Sequence, residues 1–242
     1  MVQPEAVIRS AVSADLRSTA LAHKDLLPVG LFPSMGVRFL RRWHRTFLRP
    51  PHGIALVAVD QTVQGDQVVA FLLGTTDQAA HTEALLRDRR LLLELAASGS
   101  LALLRRPRLA TRFVRTRGRP WLRKLLRRRA VDAHPSEAPA GGPVAVLAAV
   151  AVEPGARGRG LGAALVHRFL DEAHARDAAV AELVTVVPAE GGASTRFYER
   201  LGWRARGDRR SRDGTTVRTY AYPLRNWPQL PPGDQVTEEE GA

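Results

Sequence analysis

Residues 150–162 read VAVEPGARGRGLG, and the fold of the chain can be worked out from this segment. It overlaps the end of the longest strand-like apolar run in the sequence, Val144–Val152, and leads into an amphipathic segment, Leu161–Arg176. In that second segment an apolar residue recurs at every third or fourth position. The apolar run predicts a buried strand and the periodic segment predicts a helix, so a glycine-rich loop connects a strand to a helix.

The glycine-rich loop has the composition of a phosphate-binding site. Glycines allow positive φ angles, and the first turn of a helix offers N–H groups that have no intrahelical acceptor. Arg157 and Arg159 add positive charge for phosphate oxygens. A dinucleotide-binding loop is the competing interpretation, because Gly158, Gly160 and Ala163 satisfy the pattern G-x-G-x-x-A. That interpretation is disfavoured because the first glycine of a dinucleotide loop directly follows the strand, and here it does not.

Patterns of apolar, turn and capping residues predict the other elements of the chain. Their order is β-α-α-β-β, then a helical insertion, then β-α-β-α-β-β, which is a mixed α/β fold with at least one parallel strand pair. The connector Asp60–Asp66 is predicted to be a hairpin loop. Strands are predicted at Val7–Val12, Ile54–Val59, Gln67–Leu73, Val144–Val152, Val180–Val187, Arg204–Arg206 and Val217–Tyr222, and helices between Asp15 and Pro28 and at Pro33–Phe47, Leu161–Arg176 and Ala193–Leu201.

The composition excludes several classes of protein. The 242 residues include no cysteine, which rules out disulfide scaffolds, thiolate metal sites and cysteine nucleophiles. No apolar run of about 18 residues is present and the N-terminus lacks a secretion signal, so we expect a cytoplasmic protein without a transmembrane segment. The patterns of serine hydrolases, zinc proteases and P-loop proteins are missing, and no metal site is predicted.

The positive charge of the chain is concentrated in one segment. Of a net charge of +12, the segment Glu83–Asp132 contributes +11, from 15 Lys and Arg residues and four Asp and Glu residues. It lies in a predicted basic helical insertion with a linker, residues 79–142, inside a single domain that covers residues 1–225. Residues 226–242 form an acidic tail that is predicted to be disordered.

Two motifs in the chain resemble those of the GNAT superfamily of acyl-coenzyme A-dependent N-acetyltransferases. Arg157–Gly162 matches the pyrophosphate motif [Q/R]-x-x-G-x-[G/A], and Phe197–Trp203 matches F-Y-x-x-x-G-[FWY]. The resemblance covers residues 1–78 and 143–224, and it implies a GNAT-like mixed central sheet with acetyl-CoA as the acyl donor. The segment Pro28–Leu40 is similar to a segment of bacterial members that carry an Arg/Leu-rich helical insertion.

The resemblance assigns roles to individual residues. Tyr198 matches the tyrosine that donates a proton to the departing thiolate, although an ordinary packed tyrosine is the competing interpretation. The backbone of Val150 and Val152 would pair with the pantetheine arm, and the loop amides would hold the diphosphate. Ser194 stands where many members have alanine and could offer a hydroxyl to the coenzyme. The implied coenzyme-binding residues are Val150, Val152, Arg157, Gly158, Arg159, Gly160, Gly162, Ala163 and Ser194.

The residues that would contact the acceptor are less well defined. Val144–Val152 contains no acidic residue, so the general base stays open. Glu182, at the start of its strand, is expected away from the reacting end, at a sheet edge or in a salt bridge. Glu190, in the next loop, is better placed but is also a candidate surface residue. The other candidates for acceptor contact are Phe32, on the segment Pro28–Leu40, and two inward-facing histidines of the first two helices. A histidine on an apolar face is, however, usually a core residue. These histidines are His23 and His44.

The sequence therefore predicts an N-acetyltransferase that transfers an acetyl or short acyl group to a primary amine of a small molecule by direct attack in a ternary complex. The alternative is a GNAT-like binding or regulatory module whose basic insertion docks an acidic partner. For residues 83–132 the open interpretations are a flap over the acceptor site, a surface for an acidic partner such as a carrier protein, and contact with a membrane surface. Nucleic-acid binding is disfavoured because aromatic residues are few, and a homodimer stays open.

Overall fold

The computed structural model describes residues 6–62, 65–104, 142–187, 192–211 and 214–225. Within these residues one sheet has the strand order β1-β2-β3-β4-β5-β7-β6. The strands are β1 (Ala6–Ser10), β2 (Gly53–Thr62), β3 (Gly65–Thr75), β4 (Val144–Val152), β5 (Val180–Val186), β6 (Arg204–Arg210) and β7 (Thr216–Pro223). The helices are α1 (Leu16–Leu26), α2 (Leu31–Ser34), α3 (Val37–Phe47), α4 (Gln78–Arg87), α5 (Arg89–Leu104), α6 (Leu161–His174) and α7 (Ala193–Arg200).

The predicted mixed α/β fold and its element order are confirmed. The strands β4 and β5 are parallel, and the other neighbouring pairs are antiparallel. Helices α4 and α5 occupy the start of the predicted insertion, whereas residues 105–141 and the tail at 226–242 lie outside the described residues. The domain boundaries therefore stay a prediction, as does an acidic partner at residues 83–132.

Two local predictions differ from the structure in their bounds. The strands of the predicted hairpin extend into the connector Asp60–Asp66, because β2 continues to Thr62, β3 begins at Gly65, and Asp60 pairs with Gln67. The helix predicted at Pro33–Phe47 is divided into α2 and α3, because Gly36 between them has a φ of +88°. A residue in that region of backbone space cannot continue a right-handed helix.

The sheet buries a different hydrophobic cluster on each face. Helix α6 covers one face with the predicted stripe of Leu161, Leu165, Phe169 and Ala173, all of which are buried. On the other face, α1 and α3 lie over a cluster centred on Phe71 of β3. The alternation of side chains along each strand decides which face a residue reaches, so it also decides which residues can meet at a site.

Strand β4 changes face in its middle. Leu73 of β3 pairs with Ala149, but the next residue, Gly74, pairs with Leu147, so Ala148 is the extra residue of a β-bulge. Before the bulge, Ala145 and Leu147 join the cluster under α6, and after it Ala149 and Ala151 join the cluster under α1 and α3. Gly74 permits this geometry, since a Cβ there would lie 2.6 Å from the ring of Phe169.

Candidate functional site

Strands β4 and β5 separate at the bulge. Their parallel pairing begins at Val144 with Val180 and ends at Leu147 with Leu183, although both described strands continue beyond that point. From Ala149 to Val152, β4 is therefore paired with β3 on one side, and no other described strand pairs with its opposite side. An open strand edge presents N–H and C=O groups that can pair with an extended ligand, as an added strand would.

The glycine-rich loop begins where this open edge ends. Gly158 and Gly160 have φ angles of +80° and +76°, and Gly160 caps α6 without any side-chain hydrogen bond. The first hydrogen bond of the helix runs from the Ala164 N–H to the Gly160 carbonyl, at 3.0 Å. The N–H groups of the residues between them lie in the first turn and have no intrahelical acceptor, so an anion can bind there.

The two arginine side chains of the loop contact the protein itself. The Arg157 Nε donates to the Val152 carbonyl at 3.2 Å. The Arg159 guanidinium donates two hydrogen bonds to the carboxylate of Asp60, at 2.7 and 2.8 Å, and these bonds raise the pKa of Arg159 above its usual value. Both contacts hold the loop against the sheet. Asp60 was missed by sequence reasoning because the residue was assigned to a loop rather than to β2.

Gly162 brings the two sequence motifs together. A Cβ at this position would lie 3.4 Å from Val152 of β4 and 3.4 Å from the ring of Phe197 of α7. A glycine therefore lets α6, β4 and α7 approach one another closely at the end of the open edge. The predicted coenzyme residue Ala163 is half-buried in the first turn of α6, and Ser194 is half-buried in the first turn of α7.

Tyr198 lies in the same core cluster as the residues under α6. Its side chain is 7% exposed and packs against Trp203 and Tyr220, with ring centroids 6.0 Å away in each case. Among the described residues its hydroxyl makes no hydrogen bond. Burial raises the pKa of this phenol well above its ordinary value, so Tyr198 is neutral at physiological pH and can act as a proton donor.

The end of α7 explains the rest of the second motif. Gly202 has a φ of +83° and follows the helix, while the Trp203 N–H donates to the Tyr198 carbonyl at 3.1 Å. This left-handed glycine ends the helix and directs the Trp203 side chain back into the core beneath Tyr198. The glycine and the aromatic residue of the motif thus fix the position of the tyrosine.

The two histidines predicted at the acceptor site form a buried chain of hydrogen bonds. One bond joins Thr19 Oγ1 to His44 Nδ1 at 3.0 Å, and another joins His44 Nε2 to His23 Nδ1 at 3.1 Å. Burial lowers the pKa of His23 to about 4, and burial together with the neighbouring His23 lowers that of His44 to about 3. Both rings are therefore neutral at physiological pH and connect α1 to α3. Their role in acceptor binding stays a prediction.

The other acceptor candidates have different surroundings. Phe32 is half-buried, with ring centroids 4.9 Å from Trp43 and 5.5 Å from Phe39. Glu190 lies outside the described residues. Glu182 is neither at a sheet edge nor in a salt bridge within the described residues, because β5 lies between β4 and β7 and pairs with both.

The described residues contain no group of three or more His, Asp or Glu residues that could hold a metal ion. None of their helices is long and apolar enough to cross a membrane.

Comparison with known proteins places the two motifs in a family. Residues 125–203 match the model of the acetyltransferase (GNAT) family. No curated protein sequence matches the chain.

Three solved structures share the fold. The structure of SsHAT is 20% identical, with a TM-score of 0.54, and the match covers 91% of this chain and 99% of that one. The NatC complex bound to a Gag peptide and CoA is 12% identical, with a TM-score of 0.52 and coverage of 90% and 98%. A phosphinothricin acetyltransferase from Sinorhizobium meliloti, in complex with acetyl-CoA, is 16% identical, with a TM-score of 0.51 and coverage of 91% and 89%.

Proposed function

We propose that this chain, whose residues 125–203 match the GNAT family model, is an acyl-coenzyme A-dependent acetyltransferase of that superfamily and transfers an acetyl or other short acyl group to a primary amine of a small molecule. One observation carries the proposal: the open edge of β4 leads through the glycine-rich loop to the uncapped start of α6. An extended thioester arm and a diphosphate need these two features side by side.

The residues present fit acetyl-CoA as the acyl donor. The backbone of Val150 and Val152 lies on the open edge and would pair with the pantetheine arm. The amides from Gly158 to Ala163 would hold the diphosphate, since the glycines leave their N–H groups uncovered. Arg157 and Arg159 would keep this loop in place through the Val152 carbonyl and the carboxylate of Asp60.

Tyr198 would supply the proton that the reaction needs. The amine nitrogen attacks the thioester carbonyl carbon, the C–N bond forms, the C–S bond breaks, and the sulfur leaves with the electron pair. The Tyr198 phenol gives its proton to that sulfur, and the proton released by the amine passes to solvent and restores the phenol. A thiolate of ordinary pKa near 8.5 is a weaker base than the phenolate, so the proton would pass as the C–S bond breaks, from a donor held at the leaving sulfur.

We expect acetyl-CoA to stabilise the chain and to be consumed in the presence of an amine. At about 100 times the dissociation constant, a ligand specific for the folded state adds about 2.7 kcal/mol, which for a chain of this size is roughly 5–10 °C in Tm. Thiol release is then measured with amino sugars, polyamines, amino acids and peptide N-termini as acceptors. Binding without turnover of any amine would support the binding-module alternative, and preference for the peptides would contradict a small-molecule acceptor.

We expect Gly160→Ala to weaken acetyl-CoA binding about tenfold and to lower the free energy of unfolding by about 1–2 kcal/mol. A Cβ at Gly160 meets no atom within 4 Å, so the loss comes from the left-handed backbone and not from a clash. Calorimetric titration and urea unfolding measure the two effects. Gly155→Ala is the matched control, because Gly155 has equally open space and no positive φ. An equal loss in both variants would contradict the role given to this backbone geometry.

A further inference from the structure

Glu182 is an acidic residue in the middle of the sheet. It pairs with Val146 of β4 on one side and with Ala221 of β7 on the other. Its neighbours Ala181 and Leu183 are both buried in the cluster under α6. Because side chains alternate along a strand, Glu182 points to the opposite face, which is the face on which α1 and α3 pack.

Along the strand, Glu182 lies next to the point where β4 and β5 separate. The last parallel pair, Leu147 with Leu183, follows it by one residue, and the bulge residue Ala148 comes immediately after that pair. With strands about 4.8 Å apart and a rise of about 3.3 Å per residue, the Cα atoms of Glu182 and Ala148 are roughly 8 Å apart. The carboxylate is therefore near the inner end of the open edge, where the proposed thioester arm would end.

In the part of the chain that the structure describes, the Glu182 carboxylate has no partner of its own. It makes no hydrogen bond and no ion pair within the described residues, although its side chain is half-buried. Across the sheet, Glu182 of β5 lies opposite Ala221 of β7, and Ala221 lies opposite Arg204 of β6. Arg204 is the nearest cation in this row of paired residues, and it is exposed. Glu182 is also the one acidic residue in the sequences of β4 and β5.

Three acidic residues on nearby elements are engaged elsewhere. The carboxylate of Asp60 binds Arg159, that of Asp208 binds Arg218, and that of Glu199 accepts a hydrogen bond from the Tyr220 hydroxyl. A carboxylate without a partner on this face is available to a cation that enters it.

We propose that Glu182 selects the acceptor: its carboxylate binds the positive charge of a cationic amine substrate on the face of the sheet beside the β4–β5 opening. This inference rests on the proposed acetyl transfer to a small amine and narrows its substrate class to amines that carry a second, charged amino group. A charge-assisted hydrogen bond of this kind changes affinity by about 10- to 100-fold.

The test compares two acceptors of different charge in one variant. Putrescine keeps one ammonium group when its other nitrogen reacts, whereas hydroxylamine offers a neutral nucleophile of small size. For Glu182→Gln we expect the KM for putrescine to rise about 10- to 100-fold. We expect the KM for hydroxylamine and the Kd for acetyl-CoA to stay within about twofold, because the amide keeps the size and shape of the side chain.

The control is Glu172→Gln on α6, which removes a half-buried carboxylate that is paired with Arg168 and Arg176. We expect it to leave both KM values unchanged. The inference would be overturned if Glu182→Gln changed the KM for both acceptors equally, or if it left the KM for putrescine unchanged. Either result would leave the proposed acetyl transfer intact. A wild-type chain that binds acetyl-CoA but acetylates neither acceptor would overturn the small-amine function itself.

Discussion

Tyr198→Phe is expected to lower kcat by about 10²- to 10⁴-fold while the Kd for acetyl-CoA stays within about twofold. The substitution removes only the hydroxyl, and the ring keeps its packing against Trp203 and Tyr220. Without the phenol, the sulfur must leave as an unprotonated thiolate. Because burial raises the pKa of Tyr198, the donor is protonated at every pH used for the assay. Thiol release at saturating amine measures kcat, and calorimetry measures the Kd.

Tyr220→Phe is the matched control for this prediction. Tyr220 is buried in the same cluster, but its hydroxyl is already engaged, because it donates to the carboxylate of Glu199 at 2.7 Å. We expect the control to lose about 1 kcal/mol of stability and to keep kcat within about threefold. If Tyr198→Phe behaved like Tyr220→Phe across the pH range, Tyr198 would be an ordinary packed tyrosine and the proton would come from elsewhere.

The segment from β4 to α6 was predictable because its signals are local. The apolar run Val144–Val152 coincides with β4, and the helix begins at Leu161, directly after the glycines, as predicted. Three features make this segment readable: a long apolar run, a turn, and a helix that begins after glycines. Each of them depends only on residues that are neighbours in the sequence. The second motif was equally readable, since Gly202 ends α7 through its own positive φ.

The features that required the structure depend on contacts between distant segments. The bulge at Ala148 arises from the register of β4 against β3, which neither strand encodes by itself. The pair of Asp60 and Arg159 joins residues 99 positions apart. Likewise, Glu182 was expected at an edge because strand order cannot be read from the residues of β5 alone, and strand order is what places β7 beside it.

The same limit applied to the histidines, whose pairing has a measurable consequence for stability. His23 and His44 come from two helices, and the inward-facing pattern of each helix predicted burial but not a shared hydrogen bond. Such a pair is stable only while both rings are neutral, because protonation would place charges in a desolvated site 5.2 Å apart between ring centres. Stability should therefore depend on pH through this pair.

We expect the free energy of unfolding to fall steeply as the pH drops from about 6.5 towards 4. Unfolded histidines take up protons near pH 6.5, whereas the folded chain protonates His23 only near pH 4 and His44 only near pH 3. Between these values the unfolded state binds more protons, so stability is fully present above pH 6.5. It decreases below that pH by up to about 1.4 kcal/mol per pH unit for each histidine.

Urea unfolding of the wild type and of His44→Gln at pH 7.5, 6.0 and 5.0 tests this expectation. Glutamine can still bond to Thr19 or His23 but does not titrate, so the variant should be about 1–3 kcal/mol less stable at pH 7.5 and should lose about half of the pH dependence. His81, whose pKa burial also lowers, accounts for part of the slope that remains. Parallel curves for the wild type and His44→Gln would mean that the pair is not what makes the fold acid-sensitive.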